Sequence, residues 1–227
     1  MAKKVWLDAG HGGNDPGALG NGLREKDITL AITKKVGNIL ERHGVKVFYT
    51  RTNDKTVSLE ERTKRANRNK ADIFVSIHTN AFDKKSAKGL ETYHFPGSKN
   101  GRKLANCIQK RIKETGLYNS DRGVKTARFW VLRKTTMPSA LTEMAFITNA
   151  QDAKLLRNKQ SQFATAIAKG ILDYFGIKYK TNNNNKNKSN SKGLYKVQVG
   201  AFKDKKNAKK LAKELKKKGY SNFIKKE

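Results

Sequence analysis

The sequence contains a single cysteine, Cys107, which excludes an internal disulfide and a zinc site built from several cysteines. Cys107 lies in the helical run 104–108, so packing in the core is a simpler interpretation than a reactive thiol. Hydrophobic runs are short, and none approaches the roughly 18 consecutive apolar residues of a membrane span. Residues 1–4 lead straight into a strand and lack the apolar stretch of about 7–15 residues found in secretory signals. We therefore expect synthesis and retention in the cytoplasm until another factor releases the protein.

Acidic residues are scarce: 19 Asp and Glu stand against 50 Lys and Arg, and the net charge is +31. Residues 181–227 hold 15 lysines and three acidic residues, which gives +12 and leaves +19 to residues 1–180. The basic character is therefore global, with a denser tail. A charge of this size indicates an anionic partner, which could be nucleic acid, a membrane surface or an acidic polymer such as a bacterial cell wall.

The hydrophobic pattern predicts alternating strands and helices in the first 178 residues. Strands are predicted at 3–8, 45–49, 73–77, 89–95, 129–133 and 138–146, and helices at 25–42, 58–69, 99–115 and 152–175. Ser58 followed by Glu61 is the capping box expected at the start of the second helix. This alternation predicts an α/β domain with a largely parallel, twisted sheet covered by helices on both faces.

The composition changes abruptly after residue 178. Residues 181–192 contain no apolar side chain, so we expect a flexible Asn/Lys/Ser-rich linker over 179–193. Residues 194–202 alternate like a strand, 207–218 are helical and 220–224 form a second short strand. The expected C-terminal unit, 194–227, is one small βαβ unit with little stability of its own.

Three side chains near element ends suggest a metal site. His11 follows a predicted buried strand in a glycine-rich turn, Glu25 begins a helix, and His78 follows another strand. Two histidines and one glutamate form a three-ligand set for zinc with one position open. Separately, either histidine has a structural alternative, since His11 could hydrogen-bond the turn backbone and His78 could be a satisfied core residue. His43 and His94 lack this placement and are not expected to be ligands.

Glu143 is a carboxylate in an apolar stretch. Burial without a partner is costly and raises the pKa of a carboxyl group. An ion pair with one of the many arginines is an equally simple explanation. The nearby Asp8, Asp15 and Asp27 are expected to cap turns or to orient a histidine.

Four segments together resemble a known family. Residues 8–18 (DAGHGGNDPGA), Glu25, 76–81 (SIHTNA) and 141–143 (LTE) are similar to the zinc-dependent N-acetylmuramoyl-L-alanine amidases of the type-3 family, which includes bacterial autolysins and phage endolysins. The resemblance runs from about residue 3 to residue 175.

The resemblance implies one zinc ion held by His11, Glu25 and His78, with Glu143 as general base. The implied reaction is hydrolysis of the amide between N-acetylmuramic acid and the L-alanine of the stem peptide in peptidoglycan. Zinc lowers the pKa of its bound water toward about 7 and polarises the carbonyl. Glu143 would take the proton of that water and pass it to the leaving amine.

Further expectations concern substrate and partners. Arg51, Asn80 and Arg133 are candidates for positioning substrate or stabilising the oxyanion. The expected partners are peptidoglycan and anionic wall polymers, acted on by a monomer. A non-catalytic wall-binding protein is the alternative, and a nucleic-acid-binding protein is a weaker one because no aromatic residues interleave with the basic ones in a recognisable motif.

The tail resembles the sporulation-related repeat that binds peptidoglycan glycan strands, through residues 195–202 and the following helix. Only about the first half of that repeat is present, so glycan binding by the tail stays open. Without a signal peptide, two settings fit: an amidase freed by mother-cell lysis during sporulation, or a phage endolysin released by a holin.

Overall fold

The computed structural model describes residues 2–117, 120–181, 199–220 and 222–224. Within it the chain forms two compact units, residues 1–180 and 181–227. The first unit is built on a six-stranded sheet in the order β4-β1-β5-β8-β6-β7, beside a two-stranded hairpin of β2 and β3. The strands are β1 (Lys4–Ala9), β2 (Leu19–Gly20), β3 (Leu23–Arg24), β4 (Lys46–Tyr49), β5 (Ile73–Asn80), β6 (Leu90–His94), β7 (Asp121–Thr126) and β8 (Ser139–Phe146).

The sheet is largely parallel. Strands β4, β1, β5 and β8 run in the same direction, whereas β6 is antiparallel to β8 and parallel to β7. The helices of this unit are α1 (Glu25–Glu41), α2 (Leu59–Arg68), α3 (Lys99–Lys113), α4 (Trp130–Lys134), α5 (Ala150–Asn158) and α6 (Gln160–Phe175). The predicted α/β fold class is confirmed. The capping box is also present, since the Ser58 side chain accepts a hydrogen bond from the Glu61 amide at 3.2 Å.

The two faces of the sheet differ, because strand side chains alternate. On β5, Ile73, Val75 and Ile77 enter the main core with residues of α1, α3 and α6. Phe74, on the opposite face, belongs to a second apolar cluster that includes residues of α4. By the same alternation His78 lies on the face of Phe74, further along the strand. This second face is therefore apolar near the start of β5 and polar near its end.

A tight hairpin places the start of α1. Asn21 and Gly22 have φ angles of 50° and 72° and connect β2 to β3. Positive φ at both central residues is the requirement of a type I′ turn, for which Asn-Gly is a strong signal. The hairpin was not among the predicted elements. Helix α1 begins directly after β3, so the hairpin places Glu25.

Two predictions in the region 121–133 need correction. The predicted strand at 129–133 is wrong, because residues Trp130–Lys134 form the short helix α4. A short apolar run does not distinguish strand from helix by itself. Here Val131 and Leu132 are both buried in the second apolar cluster, which a helix allows and an alternating strand does not. The strand β7 was not predicted.

In the second unit the structure describes one helix, α7 (Lys205–Lys217). Its amino end is capped by Asp204, whose carboxylate accepts a hydrogen bond from the Lys206 amide at 2.6 Å. The predicted helix at 207–218 is confirmed, but residues 220 and 222–224 are not in a strand. Most of the predicted strand at 194–202 and of the linker at 179–193 lies outside the described residues. No described helix is long and apolar enough to cross a membrane.

Candidate active site

His11, Glu25 and His78 converge on one point at the polar end of the second face of the sheet. Glu25 lies between the histidines: its Oε2 is 3.1 Å from His11 Nε2, and its Oε1 is 3.0 Å from His78 Nδ1. Each of the three residues offers one potential metal-ligating atom, and these three atoms lie within 4.8 Å of one another. The Glu25 side chain is only 4% exposed, whereas the His11 and His78 side chains are 25% and 18% exposed. The cluster therefore has a buried side and an open side.

Small residues make this convergence possible. A Cβ atom on Gly10 would lie 2.3 Å from the His78 ring. Gly17 has a φ of 65°, and a Cβ there would lie 2.6 Å from the His11 ring and 2.8 Å from Glu25 Oε2. No real Cβ occupies such positions, so both glycines are required for the rings to approach the carboxylate.

Hydrogen bonds fix which atoms face the centre. His11 Nδ1 lies 2.8 Å from Asp15 Oδ2, which leaves Nε2 toward Glu25. The second Asp15 oxygen accepts a hydrogen bond from the Gly17 amide at 3.0 Å. A carboxylate on the second nitrogen of a ligating histidine is the common way to set the orientation and basicity of such a ring. Asp15 thus orients His11, which is one of the two roles, capping a turn or orienting a histidine, that the sequence predicts for it.

The Glu25 carboxylate is held in the same manner by the backbone. The amides of Ala18 and Thr79 donate to Oε2 and Oε1, each at 2.9 Å. Burial disfavours ionisation of Glu25, but the hydrogen bonds and charges of His11 and His78 outweigh it and lower its pKa. Glu25 is therefore an anion at neutral pH despite its burial.

The histidines show the complementary effect. Burial lowers the pKa of His11, yet Glu25 and Asp15 together raise it to about 9. The pKa of His78 is also raised, by Glu25 and Glu143 against the effect of burial. The cluster thus attracts positive charge into a small volume. A divalent cation would supply that charge and displace the two ring protons, so the donor set fits a metal ion.

Glu143 adjoins this cluster. It is paired with His78 in the register of β5 and β8. Its Oε2 is buried and has no hydrogen-bond partner within the described residues, and no salt bridge reaches it there. Burial raises the pKa of Glu143 to about 7; His78 opposes the rise, and Glu25 adds to it. The structure gives no support for the alternative of an ion pair with an arginine.

Arg51 and Arg62 hold the turn that carries His11. Arg51 is 1% exposed and donates to the carbonyls of Ala9 at 3.1 Å and Gly10 at 2.9 Å. Arg62 donates to the carbonyl of His11 at 2.7 Å. From the sequence, Arg51 is a candidate substrate contact. The structure places it beneath the turn, with its donors directed at the backbone, where it positions His11.

Asp8 anchors the second arginine from within the sheet. Its carboxylate accepts from Arg62 Nη1 at 2.8 Å and from the Ser76 hydroxyl at 2.7 Å. Although burial opposes ionisation, Arg62 and Ser76 lower the pKa of Asp8. Asp27 instead pairs with the exposed Arg24 at 2.6 Å. The role of Arg62 was not predicted from the sequence. The available signal is that Arg62 lies on the buried side of the amphipathic helix α2, where a charged residue needs a partner.

The other two candidate substrate contacts have their partners outside the ligand cluster. Asn80 ends β5 and donates from Nδ2 to Glu91 at 2.5 Å. Arg133 is exposed on α4, with its guanidinium 5.2 Å from the centroid of the Trp130 ring. Neither has a hydrogen bond to the three-residue cluster among the described residues. Glu91, which sequence reasoning did not consider, is 3% exposed and opposes Glu143 across β6 and β8.

Comparison with known proteins identifies relatives over almost the whole chain. The N-acetylmuramoyl-L-alanine amidase family matches residues 5–173, and the SPOR domain family matches residues 164–226. The sporulation-specific N-acetylmuramoyl-L-alanine amidase of Bacillus subtilis is 41% identical over 225 residues, covering 97% of this chain and 84% of the relative. The endolysin of Bacillus phage SPP1 is 42% identical, covering 90% of this chain and 78% of the relative.

Solved structures support the same relationship. The amidase AmiC2 of Nostoc punctiforme is 43% identical with a TM-score of 0.73, covering 77% of this chain and 97% of that one. The catalytic domain of CwlV, an amidase from Paenibacillus polymyxa, is 36% identical with a TM-score of 0.73, covering 78% and 99%. Both have the mixed α/β architecture described above. The chain belongs to the N-acetylmuramoyl-L-alanine amidase family and carries a SPOR domain match at its carboxyl end.

Proposed function

We propose that this protein is a zinc-dependent N-acetylmuramoyl-L-alanine amidase that hydrolyses peptidoglycan. His11, Glu25 and His78 are the proposed metal ligands, and Glu143 is the proposed general base. One observation carries the proposal: three donors of the zinc type surround one point, and a buried carboxylate oxygen without a hydrogen-bond partner comes from the adjacent strand.

The donor set favours zinc over harder cations. Two imidazole nitrogens and one carboxylate, with a position left for water or substrate, are typical of catalytic zinc sites in hydrolases. Calcium and magnesium prefer oxygen ligands throughout. A zinc ion held there would polarise the scissile carbonyl and lower the pKa of a water molecule.

The chain's own residues account for the proton transfers. Glu143 accepts a proton from the attacking water as the water oxygen bonds to the carbonyl carbon. It then donates that proton to the alanine nitrogen as the carbon–nitrogen bond breaks, which yields a carboxylic acid and a free amine. A pKa of about 7 suits both steps, because general catalysis is most efficient when the pKa is near the working pH.

The charge and the SPOR match support an attachment to the wall. A net charge of +31 favours polymers that carry carboxylates or phosphates. We propose a catalytic domain over residues 1–178, a linker over 179–193 and a wall-binding unit over 194–227. The relatives include both a sporulation amidase and a phage endolysin at nearly equal identity. We therefore propose two routes by which the protein reaches the wall: release by mother-cell lysis, or release through a holin.

The test is digestion of purified peptidoglycan with and without a chelator. Newly exposed alanine amino groups, without new reducing sugar ends, are the expected products. Chelation should abolish their release, and added zinc should restore it. Alanine amines released equally in the presence of the chelator would contradict the metal requirement. Reducing ends in place of amines would contradict the amidase reaction itself.

A further inference from the structure

A second charged cluster lies beside Glu143, centred on the buried carboxylate of Glu91. Arg122 Nε donates to Glu91 Oε2 at 2.7 Å, and Lys125 Nζ donates to the same oxygen at 2.5 Å. The Tyr93 hydroxyl donates to Glu91 Oε1 at 2.8 Å, and Asn80 donates to that oxygen as well. Both cations come from the edge strand β7, whereas Glu91 and Tyr93 come from β6.

The strand order places this cluster within reach of the proposed catalytic residues. From β1 to β7 the strands β1, β5, β8, β6 and β7 are neighbours. His11 follows the first of these, and His78, Glu143 and Glu91 stand on the next three in successive register pairs. Directly opposed residues have Cβ atoms about 5 Å apart and share a face of the sheet. Glu91 and its cations therefore flank Glu143 on the side away from His11.

The charges of the cluster do not cancel. Two cations meet one carboxylate, so one unit of positive charge remains. The Arg122 and Lys125 side chains are 37% and 39% exposed, although the carboxylate that they contact is 3% exposed. Both cations are thus accessible from solvent while a buried anion fixes their positions. Fixing long side chains in advance lowers the entropy cost of binding a ligand.

A purely structural role would be to attach the edge strand β7 to the sheet. One cation would satisfy the charge of Glu91 for that purpose. Arg122 has a further structural contact, since its guanidinium lies 5.0 Å from the centroid of the Phe146 ring, but neither contact requires a second cation or the exposure of both. An anionic group of the substrate that binds beside Glu143 accounts for them, because charge-assisted hydrogen bonds to a carboxylate are stronger than neutral ones.

We propose that Arg122 and Lys125 form a subsite for a carboxylate of the stem peptide, carried by the residue that follows L-alanine. The inference rests on the proposed amidase function. Strand β7 is two strands from β8, and its two cations reach back to Glu91 on the strand between them, so their tips lie one to two strand spacings, about 5–10 Å, from Glu143. An extended peptide covers that distance in about two to three residues, at about 3.3 Å per residue. The alanine amide at Glu143 thus places the next residue of the stem at the two cations.

The test uses two soluble substrates, N-acetylmuramoyl-L-alanyl-D-glutamate and its diamide. They differ only in the carboxylates. The zinc-loaded full-length protein should cleave the diacid with a kcat/KM about tenfold higher, the effect of one charge-assisted hydrogen bond. Arg122→Gln and Lys125→Gln should each reduce this preference to about twofold or less, mainly by raising the KM for the diacid. Arg122→Lys, which keeps the charge, should retain most of the preference.

The matched control is Lys34→Gln with Lys35→Gln, which removes positive charge from exposed positions of α1 behind the other face of the sheet. The control should keep the wild-type preference. If Arg122→Gln and Lys125→Gln lower cleavage of both substrates equally, the cluster is structural and the subsite is refuted. Equal cleavage of both substrates by the wild type also refutes it, with the amidase function intact. No cleavage of either substrate would refute the proposed function and the subsite together.

Discussion

Replacing Glu143 by glutamine should separate activity from stability. The glutamine side chain has nearly the same shape but cannot accept the proton of the attacking water. Loss of a positioned general base lowers the rate by about 10²- to 10⁴-fold. Zinc content should be unchanged, because Glu143 is not one of the three proposed ligands.

The same substitution should make the zinc-stripped protein relatively more stable at neutral pH. Burial raises the pKa of Glu143 from 4.5 to about 7, and the unfolded chain keeps the lower value. Ionisation therefore favours the unfolded state as pH rises through this interval, and the penalty is absent below pH 4.5. At about 1.4 kcal/mol per pKa unit, the full penalty above pH 7 is about 3 kcal/mol.

The assay is urea unfolding of zinc-stripped wild type and Glu143→Gln at pH 4 and pH 8. A glutamine amide without partners also has a cost, but that cost does not depend on pH. The free-energy difference between the two proteins should therefore move by about 3 kcal/mol in favour of glutamine between these pH values. The exposed Glu60→Gln serves as control and should show no such change. A difference that is constant with pH would refute the account of Glu143 as a carboxyl held in a destabilising environment.

Three further predictions concern the ligands. Asp15→Asn removes the carboxylate on His11 Nδ1 and should weaken zinc affinity about 10- to 100-fold in a competition titration with a chelating dye. Gly10→Ala should abolish zinc binding, measured by metal analysis, because its Cβ would overlap the His78 ring; full zinc content in a folded variant would contradict this. Added zinc should raise the melting temperature of the wild type, with stabilisation of about 2.7 kcal/mol at 100 times its dissociation constant. His78→Ala should lose that response.

Much of the site could be predicted because its residues follow strong local signals. The apolar runs of β1 and β5 end near a histidine, and parallel strands bring such ends together. Glu25 begins an amphipathic helix, where the hairpin directs it at the same point. The structure brings these three residues within one cluster, with Glu143 beside them. The Asn-Gly pair at positions 21 and 22 is also a local signal, because it favours the type I′ turn of this hairpin.

The edge of the sheet could not be predicted in the same way. Strand β7 has the sequence Asp-Arg-Gly-Val-Lys-Thr, in which Asp, Gly and Lys are poor strand formers. It is held by pairing with β6 and by the ion pairs of Arg122 and Lys125 with Glu91. These are contacts over about 30 residues of sequence, which local periodicity does not report. The Glu91 cluster was missed for the same reason.

The conformation of α4 also depends on tertiary contacts. Its first three residues, Trp130, Val131 and Leu132, are aromatic or apolar and suit a strand by composition. Val131 and Leu132 both enter the apolar cluster that contains Trp6, while Phe129 and Trp130 are 41% and 36% exposed. A helix can bury two adjacent side chains on the same surface, whereas a strand directs them to opposite faces. The surface that buries both is formed by neighbouring strands and α2, which the local sequence does not reveal.

The most direct test of the central claim is a crystal structure of the zinc-loaded protein with data collected on both sides of the zinc absorption edge. We expect one strong anomalous peak per protein chain, within bonding distance of His11 Nε2, Glu25 and His78 Nδ1 and beside Glu143. A peak at another place, or none at full zinc occupancy of the sample, would contradict the assignment of these residues as the metal centre.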